Sequence, residues 1–156
     1  MWFIALSSLI NFSAARDELT SLANNNGYTL SPLLKSYIID ASVEHSVEPS
    51  YLVAIGILES SLGTNIKTTI NKNNTQDYGI FQINDVNRAF CKNLDLQDIK
   101  QNAHCAAKII ARLKPKNLKD LAKYHSKTLK HKEKYYLKLT KVFEKQADKF
   151  IVGSNN

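Results

Sequence analysis

Residues 49–63, PSYLVAIGILESSLG, decide the fold class, because this stretch is apolar around almost its whole circumference when it is wound as a helix. Pro49 suits the first helical position, and Gly63 stands where a C-terminal capping glycine is expected. A helix that is apolar on every side has to be covered on every side. The sequence therefore predicts a central helix that other elements surround.

Glu59 interrupts this apolar stretch. It follows Ile55 by four residues and Gly56 by three, which places its carboxylate on an apolar face beside the gap that a glycine leaves. It also lies in the last turn, where backbone carbonyls are unsatisfied and the helix dipole is negative. These surroundings are typical of a general acid that keeps its proton near neutrality. The alternative is a glutamate at the helix edge that reaches solvent or pairs with a lysine.

Further helices are predicted on both sides of the central one. Residues 31–47 open with a serine N-cap and a proline, and residues 97–113 end before Pro115; both repeat apolar side chains at helical spacing. A short helix over 117–126 and an amphipathic helix over 135–150 follow. The polar residues between the second helix and the third predict a loop or a small β-excursion around residues 64–80. The fold class is thus mainly α.

The chain has 156 residues, which is the size of one domain, and only 5 glycines and 3 prolines, which argues against a β-sandwich or barrel. Its formal charge of +7 is unevenly spread. Residues 1–111 carry a net charge of −2 and residues 112–156 a net charge of +9. Eighteen of the 21 cations are lysine, whereas arginine is preferred for reading nucleic acid. No nucleic-acid partner is therefore expected.

The first residues resemble an export signal. The apolar run WFIALSSLI is too short to span a bilayer but suits a secretory signal, and cleavage after Ala15 would follow an A-x-A-like pair of small residues. The usual basic residues before the run are absent, so a packed N-terminal helix or a misplaced start is the alternative. We expect a signal peptide at 1–15, a polar segment at 16–30, the folded domain at 31–150 and a frayed tail at 151–156. No transmembrane span is expected.

Two cysteines, Cys91 and Cys105, enclose a polar stretch. An exported chain would join them in one disulfide, whereas a cytosolic chain would keep two thiols. His104 beside Cys105 does not give the ligand spacing of a zinc site, so no metal is expected.

Three blocks of sequence together resemble a known family. ESSLG begins at Glu59, DYGIFQIN occupies residues 77–84, and LAKYHS occupies residues 121–126. Their order and spacing resemble the soluble lytic transglycosylases, relatives of goose-type lysozyme, over about residues 32–136. The chain is also similar to the small specialised members encoded beside conjugation, type IV and type III secretion systems. The resemblance implies a lysozyme-like helical domain. From the export signal we expect it to act in the periplasm, and we expect a monomer without a cofactor.

The resemblance also implies the site. Glu59 is matched to the catalytic acid/base, and residues that contact the glycan are implied at Ser60, Gly79, Phe81, Gln82, Asn84 and Tyr124. The family's glutamate protonates the glycosidic oxygen between MurNAc and GlcNAc. It then takes the proton of the MurNAc C6 hydroxyl, which attacks C1 in place of water and closes a 1,6-anhydro ring. The implied partner is the peptidoglycan glycan strand, together with components of a secretion or conjugation machine.

Two alternatives to this reaction stay open. Asp77, the other acid in the motif blocks, could serve a lysozyme-type hydrolysis with two carboxyl groups, or could only cap the turn into YGIF. A different class of protein, a non-catalytic basic module that binds the cell wall or a secretion partner, would need none of these chemical groups.

Overall fold

The computed structural model describes residues 17–126 and 128–153, and it is mainly helical, as the sequence predicts. Residues 1–15, the expected signal peptide, lie outside this described part. The α-helices are α1 (residues 17–25), α2 (Pro32–His45), α3 (Pro49–Ser60), α4 (Ile99–Leu113), α5 (Leu118–Leu121) and α6 (Leu129–Gly153). Strands β1 (Asp77–Tyr78) and β2 (Ile83–Asn84) form a small antiparallel sheet. Short 3-10 turns follow at Asp85–Asn87 and Ala122–Tyr124.

Helix α3 is the centre of the fold, which confirms the main prediction from its composition. Leu52, Val53, Ala54 and Ile55, four consecutive residues on all sides of the helix, are fully buried. Helix α2 packs closely along α4, and α3 contacts α2, α4 and α6. The arrangement leaves the C-terminal end of α3, with Glu59, at the edge of the core.

The polar segment predicted at 16–30 begins with a packed helix. In α1, Leu19 and Leu22 are buried, and Ala23 lies beside them on the same helical face. At the other end of the chain, α6 extends to Gly153, three residues into the segment predicted as a frayed tail. The helical body is therefore longer at both ends than the sequence pattern indicates.

The end of α3 differs from the prediction at Gly63. The residue after the helix is Ser61, which has a left-handed backbone (φ 54°), and Leu62 and Gly63 continue in positive φ. The Leu62 amide donates to the Gly56 carbonyl at 2.9 Å, so the chain turns back over the last helical turn. A Cβ on Gly56 would lie 2.9 Å from the Leu62 side chain, which explains why a glycine is needed three residues before Glu59.

The β-excursion is present but extends beyond the predicted residues 64–80: the isolated bridge between Ile70 and Gln76 and strand β1 fall within that range, whereas β2 follows it. Asp77 pairs with Asn84 and Tyr78 with Ile83, so the hairpin closes around residues 79–82. Within the part of the chain that the structure describes, no helix is long and apolar enough to cross a membrane.

Cys91 and Cys105 are joined, with their Cα atoms 5.5 Å apart, and both are buried. The bond ties the loop after the hairpin to α4. It closes a sequence separation of 14 residues, so reduction should lower the free energy of unfolding by about 3 kcal/mol. Urea unfolding of the oxidised and the reduced protein measures this difference. Equal midpoints, or two free thiols in the denatured, unreduced protein, would contradict the prediction.

Candidate active site

A cleft of about 860 Å³ opens beside the C-terminal end of α3. Its walls come from the end of α3, the β-hairpin with the loops before and after it, the C-terminal half of α4, the segment between α5 and α6, and the first turn of α6. Glu59, Gln82, Asn84 and Tyr124, four of the residues predicted for the site, line this one cleft. Since they come from three separate blocks of sequence, the fold rather than the motifs brings them together.

Glu59 lies at the floor of the cleft. Only 12% of its side chain is exposed, and its Oε1 is buried without a hydrogen-bond partner among the described residues. The His125 imidazole, which carries a charge only when it is protonated, has its Nδ1 3.4 Å from that oxygen. A buried carboxyl oxygen with no partner is costly to the fold but leaves its lone pairs free to exchange a proton with a ligand.

Two aromatic residues cover Glu59. The ring of His125 stacks on that of Tyr135, with centroids 4.6 Å apart and planes inclined by 2°. Burial raises the pKa of the Tyr135 phenol well above its usual range, and the charge of Glu59 raises it further. Tyr135 therefore stays a neutral hydroxyl beside the glutamate near neutral pH.

Tyr124 also lines the cleft. Its hydroxyl donates to the Phe81 carbonyl at 2.9 Å, which fastens the 3-10 turn before α6 to the tip of the hairpin. Burial raises the pKa of Tyr124 well above its usual range, with further contributions from the charges of Glu59 and Asp77. The hydroxyl thus remains a donor.

Replacing Tyr124 by Phe should cost about 1 kcal/mol of stability, because the Phe81 carbonyl loses its donor. We expect the rate of glycan release to fall roughly tenfold as the hairpin tip loosens beside Glu59, an effect equivalent to about 1.4 kcal/mol. Urea unfolding and a peptidoglycan digestion assay measure the two effects. Tyr37→Phe, which removes a tyrosine hydroxyl outside the cleft, is the matched control. Equal losses of stability and activity in the two variants would contradict the role of the Tyr124 hydroxyl in holding the hairpin tip.

Gln82 and Asn84 use much of their hydrogen-bonding capacity within the protein. Gln82 has a left-handed backbone (φ 45°), and its amide nitrogen donates to the Gly79 carbonyl at 2.9 Å. The Asn84 amide nitrogen donates to Asp77 Oδ1 at 2.7 Å and to Thr75 Oγ1 at 2.8 Å. The carbonyl oxygen of Asn84 accepts from the backbone of Val86. Asn84 therefore shapes the wall of the cleft and holds Asp77.

Asp77 also faces the cleft and does not cap the turn that follows it. Its Oδ1 accepts from Asn84 and its Oδ2 accepts from Asn71 at 3.2 Å, so side chains rather than the backbone of YGIF hold the carboxylate. Asp77 therefore does not cap the turn through the backbone; the side-chain amides of Asn84 and Asn71 hold it in the cleft wall.

Three residues predicted to contact the glycan do not reach the cleft. Ser60 is buried, since its hydroxyl donates to the Ile80 carbonyl at 2.7 Å and accepts from the Gly63 amide. The Phe81 side chain is completely buried in the core, and only its backbone takes part in the site. Gly79 (φ 69°) does allow a close approach, but the approaching group is a protein side chain rather than a sugar.

That side chain is Asn102, which the sequence analysis missed. It is fully buried on α4, and its amide nitrogen donates to the carbonyls of Tyr78 and Leu96 at 3.0 and 2.9 Å. Its carbonyl accepts from the Phe81 amide at 3.0 Å. The sequence contains a signal for its burial: Asn102 follows Ile99 by three residues, so this polar residue falls on the apolar stripe of the predicted helix.

The other missed residues are Asn71, Thr75, His125 and Tyr135. The first two come from the polar loop, which shows no periodicity, and the last two come together only when the segment before α6 folds over α3. Their roles depend on tertiary contacts between residues far apart in sequence.

Comparison with known proteins gives one family match. Residues 36–131, more than half of the chain, match the family model described as "Transglycosylase SLT domain". The matched range includes Glu59, the hairpin, Asn102 and Tyr124, and so nearly the whole wall of the cleft. A search of the curated proteins finds no match to this chain.

Proposed function

Because the chain belongs to the transglycosylase SLT domain family, we propose that it cleaves the MurNAc-β-1,4-GlcNAc bond of peptidoglycan and leaves a 1,6-anhydro-MurNAc end. The observation that carries this proposal is the position of Glu59, nearly buried in a polar cleft, where its Oε1 lies beside the His125 imidazole and makes no hydrogen bond within the described residues. A glycan strand laid in the cleft would bring its glycosidic oxygen to that carboxyl group.

In the proposed reaction Glu59 first donates its proton to the glycosidic oxygen. The bond from C1 of MurNAc to that oxygen breaks, and the electron pair leaves with the GlcNAc hydroxyl. The C6 hydroxyl of the same MurNAc then attacks C1, and its proton returns to the Glu59 carboxylate. Since the nucleophile is already part of the substrate, its effective concentration is high and no second carboxylate is needed to activate water.

The surroundings of Glu59 suit both halves of this cycle. Tyr135 and Tyr124 stay protonated, so neither adds a negative charge beside the carboxylate. His125, which is 44% exposed, is accessible from the cleft and lies close enough to pair with the carboxylate when the imidazole is protonated. No residue in this account needs a metal or an organic cofactor.

Hydrolysis of the same bond is the second candidate, and Asp77 is the observation that favours it. Its carboxylate faces the same cleft as Glu59, as a two-carboxyl muramidase would require. Against this, both Asp77 oxygens already accept hydrogen bonds from Asn84 and Asn71, which leaves less capacity to activate a water molecule.

Digestion of purified peptidoglycan, followed by mass spectrometry of the muropeptides, tests the proposal. Anhydro-muropeptides support transglycosylation and reducing ends support hydrolysis. No release at all would overturn the enzymatic function and favour a non-catalytic wall-binding module.

We further propose that the protein acts in the periplasm, where it opens the wall locally for a secretion or conjugation apparatus. The apolar run near the N-terminus supports export, and the disulfide is suited to an oxidising compartment. Cell fractionation tests this proposal: loss of the first 15 residues and recovery in the periplasmic fraction are expected, and a reduced cytoplasmic protein of full length would contradict it.

A further inference from the structure

A cluster of three side chains with metal-binding chemistry lies where the C-terminal end of α2 meets α4. Glu44 and His45 belong to the last turn of α2, and His104 belongs to α4. None of the three lines the cleft. We propose that Glu44, His45 and His104 bind a divalent transition-metal ion, with Zn²⁺ as the best fit, through two imidazoles and one carboxylate.

The distances between the candidate ligand atoms support this proposal. His104 Nδ1 lies 3.3 Å from Glu44 Oε2, and His45 Nε2 lies 3.7 Å from Glu44 Oε1. One ligand atom from each residue can be chosen so that all lie within 4.8 Å of one another. In a tetrahedral zinc site with bonds of about 2.0–2.1 Å, neighbouring ligand atoms lie about 3.4 Å apart. A small rotation of the exposed Glu44 side chain would therefore bring the three ligand atoms closer to this geometry.

The direction of the His104 ring adds a second argument. Its Nε2 is buried and has no hydrogen-bond partner among the described residues, so the polar contact of the ring is made by Nδ1, which faces Glu44. Both histidine side chains are mostly buried, at 13% and 19% exposure, and their rings meet edge to face at 5.7 Å. Their positions are therefore largely fixed before any ion binds, which reduces the entropy cost of binding.

The chemistry of the set selects the kind of ion. Imidazole nitrogen suits zinc, copper and nickel, whereas calcium and magnesium prefer sites made only of oxygen. The negative end of the α2 dipole and its last carbonyls favour a cation, while Lys108 nearby opposes it. Three protein ligands leave one coordination position for water.

A bound ion would tie α2 to α4 one residue away from the disulfide at Cys105. The two cross-links would then brace the same turn of α4, with Asn102 only two residues before His104. The ion has a structural role in this proposal, independent of the glycan chemistry.

Isothermal titration of untagged protein with ZnCl₂, and the absorption spectrum with CoCl₂, test the site. We expect one ion per chain and a rise of the unfolding midpoint by roughly 5–10 °C at a hundredfold excess of free Zn²⁺ over Kd. His104→Gln and His45→Gln should each weaken binding at least tenfold. Glu44→Gln, a change at an exposed side chain that should not disturb folding, should weaken it as well.

His131→Gln is the matched control, because His131 lies in the cleft and belongs to another part of the fold. The proposal is overturned if the native protein shows no saturable binding of Zn²⁺ at one ion per chain. It is also overturned if the variants at Glu44, His45 and His104 bind as the native protein does, or if His131→Gln abolishes binding. None of these measurements depends on glycan release. The metal site can therefore be disproved without disproving the proposed enzymatic function, and the enzymatic function can be disproved without disproving the metal site.

Discussion

Replacing Glu59 by Gln is expected to lower the release of muropeptides by about 10²–10⁴-fold or more, the largest effect on activity of any single change in the cleft. Glutamine has the same shape and fits the same space, but it can neither donate the proton that the glycosidic oxygen needs nor accept the proton of the C6 hydroxyl. Mass spectrometry of a peptidoglycan digest, with the rate measured over time, gives the result.

The same substitution should leave the fold intact. Glu59 Oε1 is buried with no hydrogen-bond partner among the described residues, and a neutral amide in the same place costs less free energy to bury than a charged carboxylate. We expect an unfolding midpoint in urea equal to or higher than that of the native protein. Activity and stability would then change in opposite directions, which is typical of a catalytic group rather than a structural one.

Glu48→Gln provides the matched control at the other end of the same helix. Glu48 is the N-cap residue of α3 and makes no side-chain capping bond there, so its replacement should change stability by a few tenths of a kcal/mol and leave activity unchanged. If Glu59→Gln and Glu48→Gln were both fully active, the proton donor would have to be another residue, and Asp77 would be the first to test.

The predictions from sequence succeeded where the information is local. A helix over residues 49–60 that is apolar on nearly every side has to be buried, and the one acid in its last turn is then restricted to the edge of the core. The same logic would have found α1, since Leu19, Leu22 and Ala23 repeat at helical spacing, but the asparagines that follow make the segment look polar as a whole. The end of α3 is not specified by the position of a glycine, because Ser61 adopts the left-handed conformation that glycine prefers.

The predicted glycan-contacting residues that lie away from the cleft are Gly79 and Phe81 in the hairpin loop and Ser60 at the end of α3. A motif position in a loop does not show which way its side chain points, because no repeating backbone geometry fixes the direction. Here the Phe81 side chain is buried in the core, and the backbone of Gly79 packs against the side chain of Asn102, which lies more than 20 positions later in the chain. The conformation of the loop is therefore set by contacts with residues outside the DYGIFQIN block.

Replacing Asn102 by Ala should destabilise the protein by about 3–5 kcal/mol, the largest stability effect expected here. The change leaves the Phe81 amide and the carbonyls of Tyr78 and Leu96 without their partner inside the core. Since the hairpin carries Gln82 and Asn84, activity should fall as well. Urea unfolding measures the loss, and Gln101→Ala, a half-exposed neighbour with one exposed side-chain bond, should cost about 1 kcal/mol or less.

Gly79→Ala tests the same contact from the other side. A Cβ at this position would lie 2.5 Å from the Asn102 side chain, and the backbone φ of 69° adds a strain of about 1–2 kcal/mol for any residue with a side chain. If the clash is the main effect, removing the Asn102 side chain should relieve it. The double variant should then be less destabilised than the sum of the two single variants, by more than about 1 kcal/mol. Strict additivity would mean that Gly79 is required for its backbone conformation alone, and that Asn102 does not hold the hairpin through this contact.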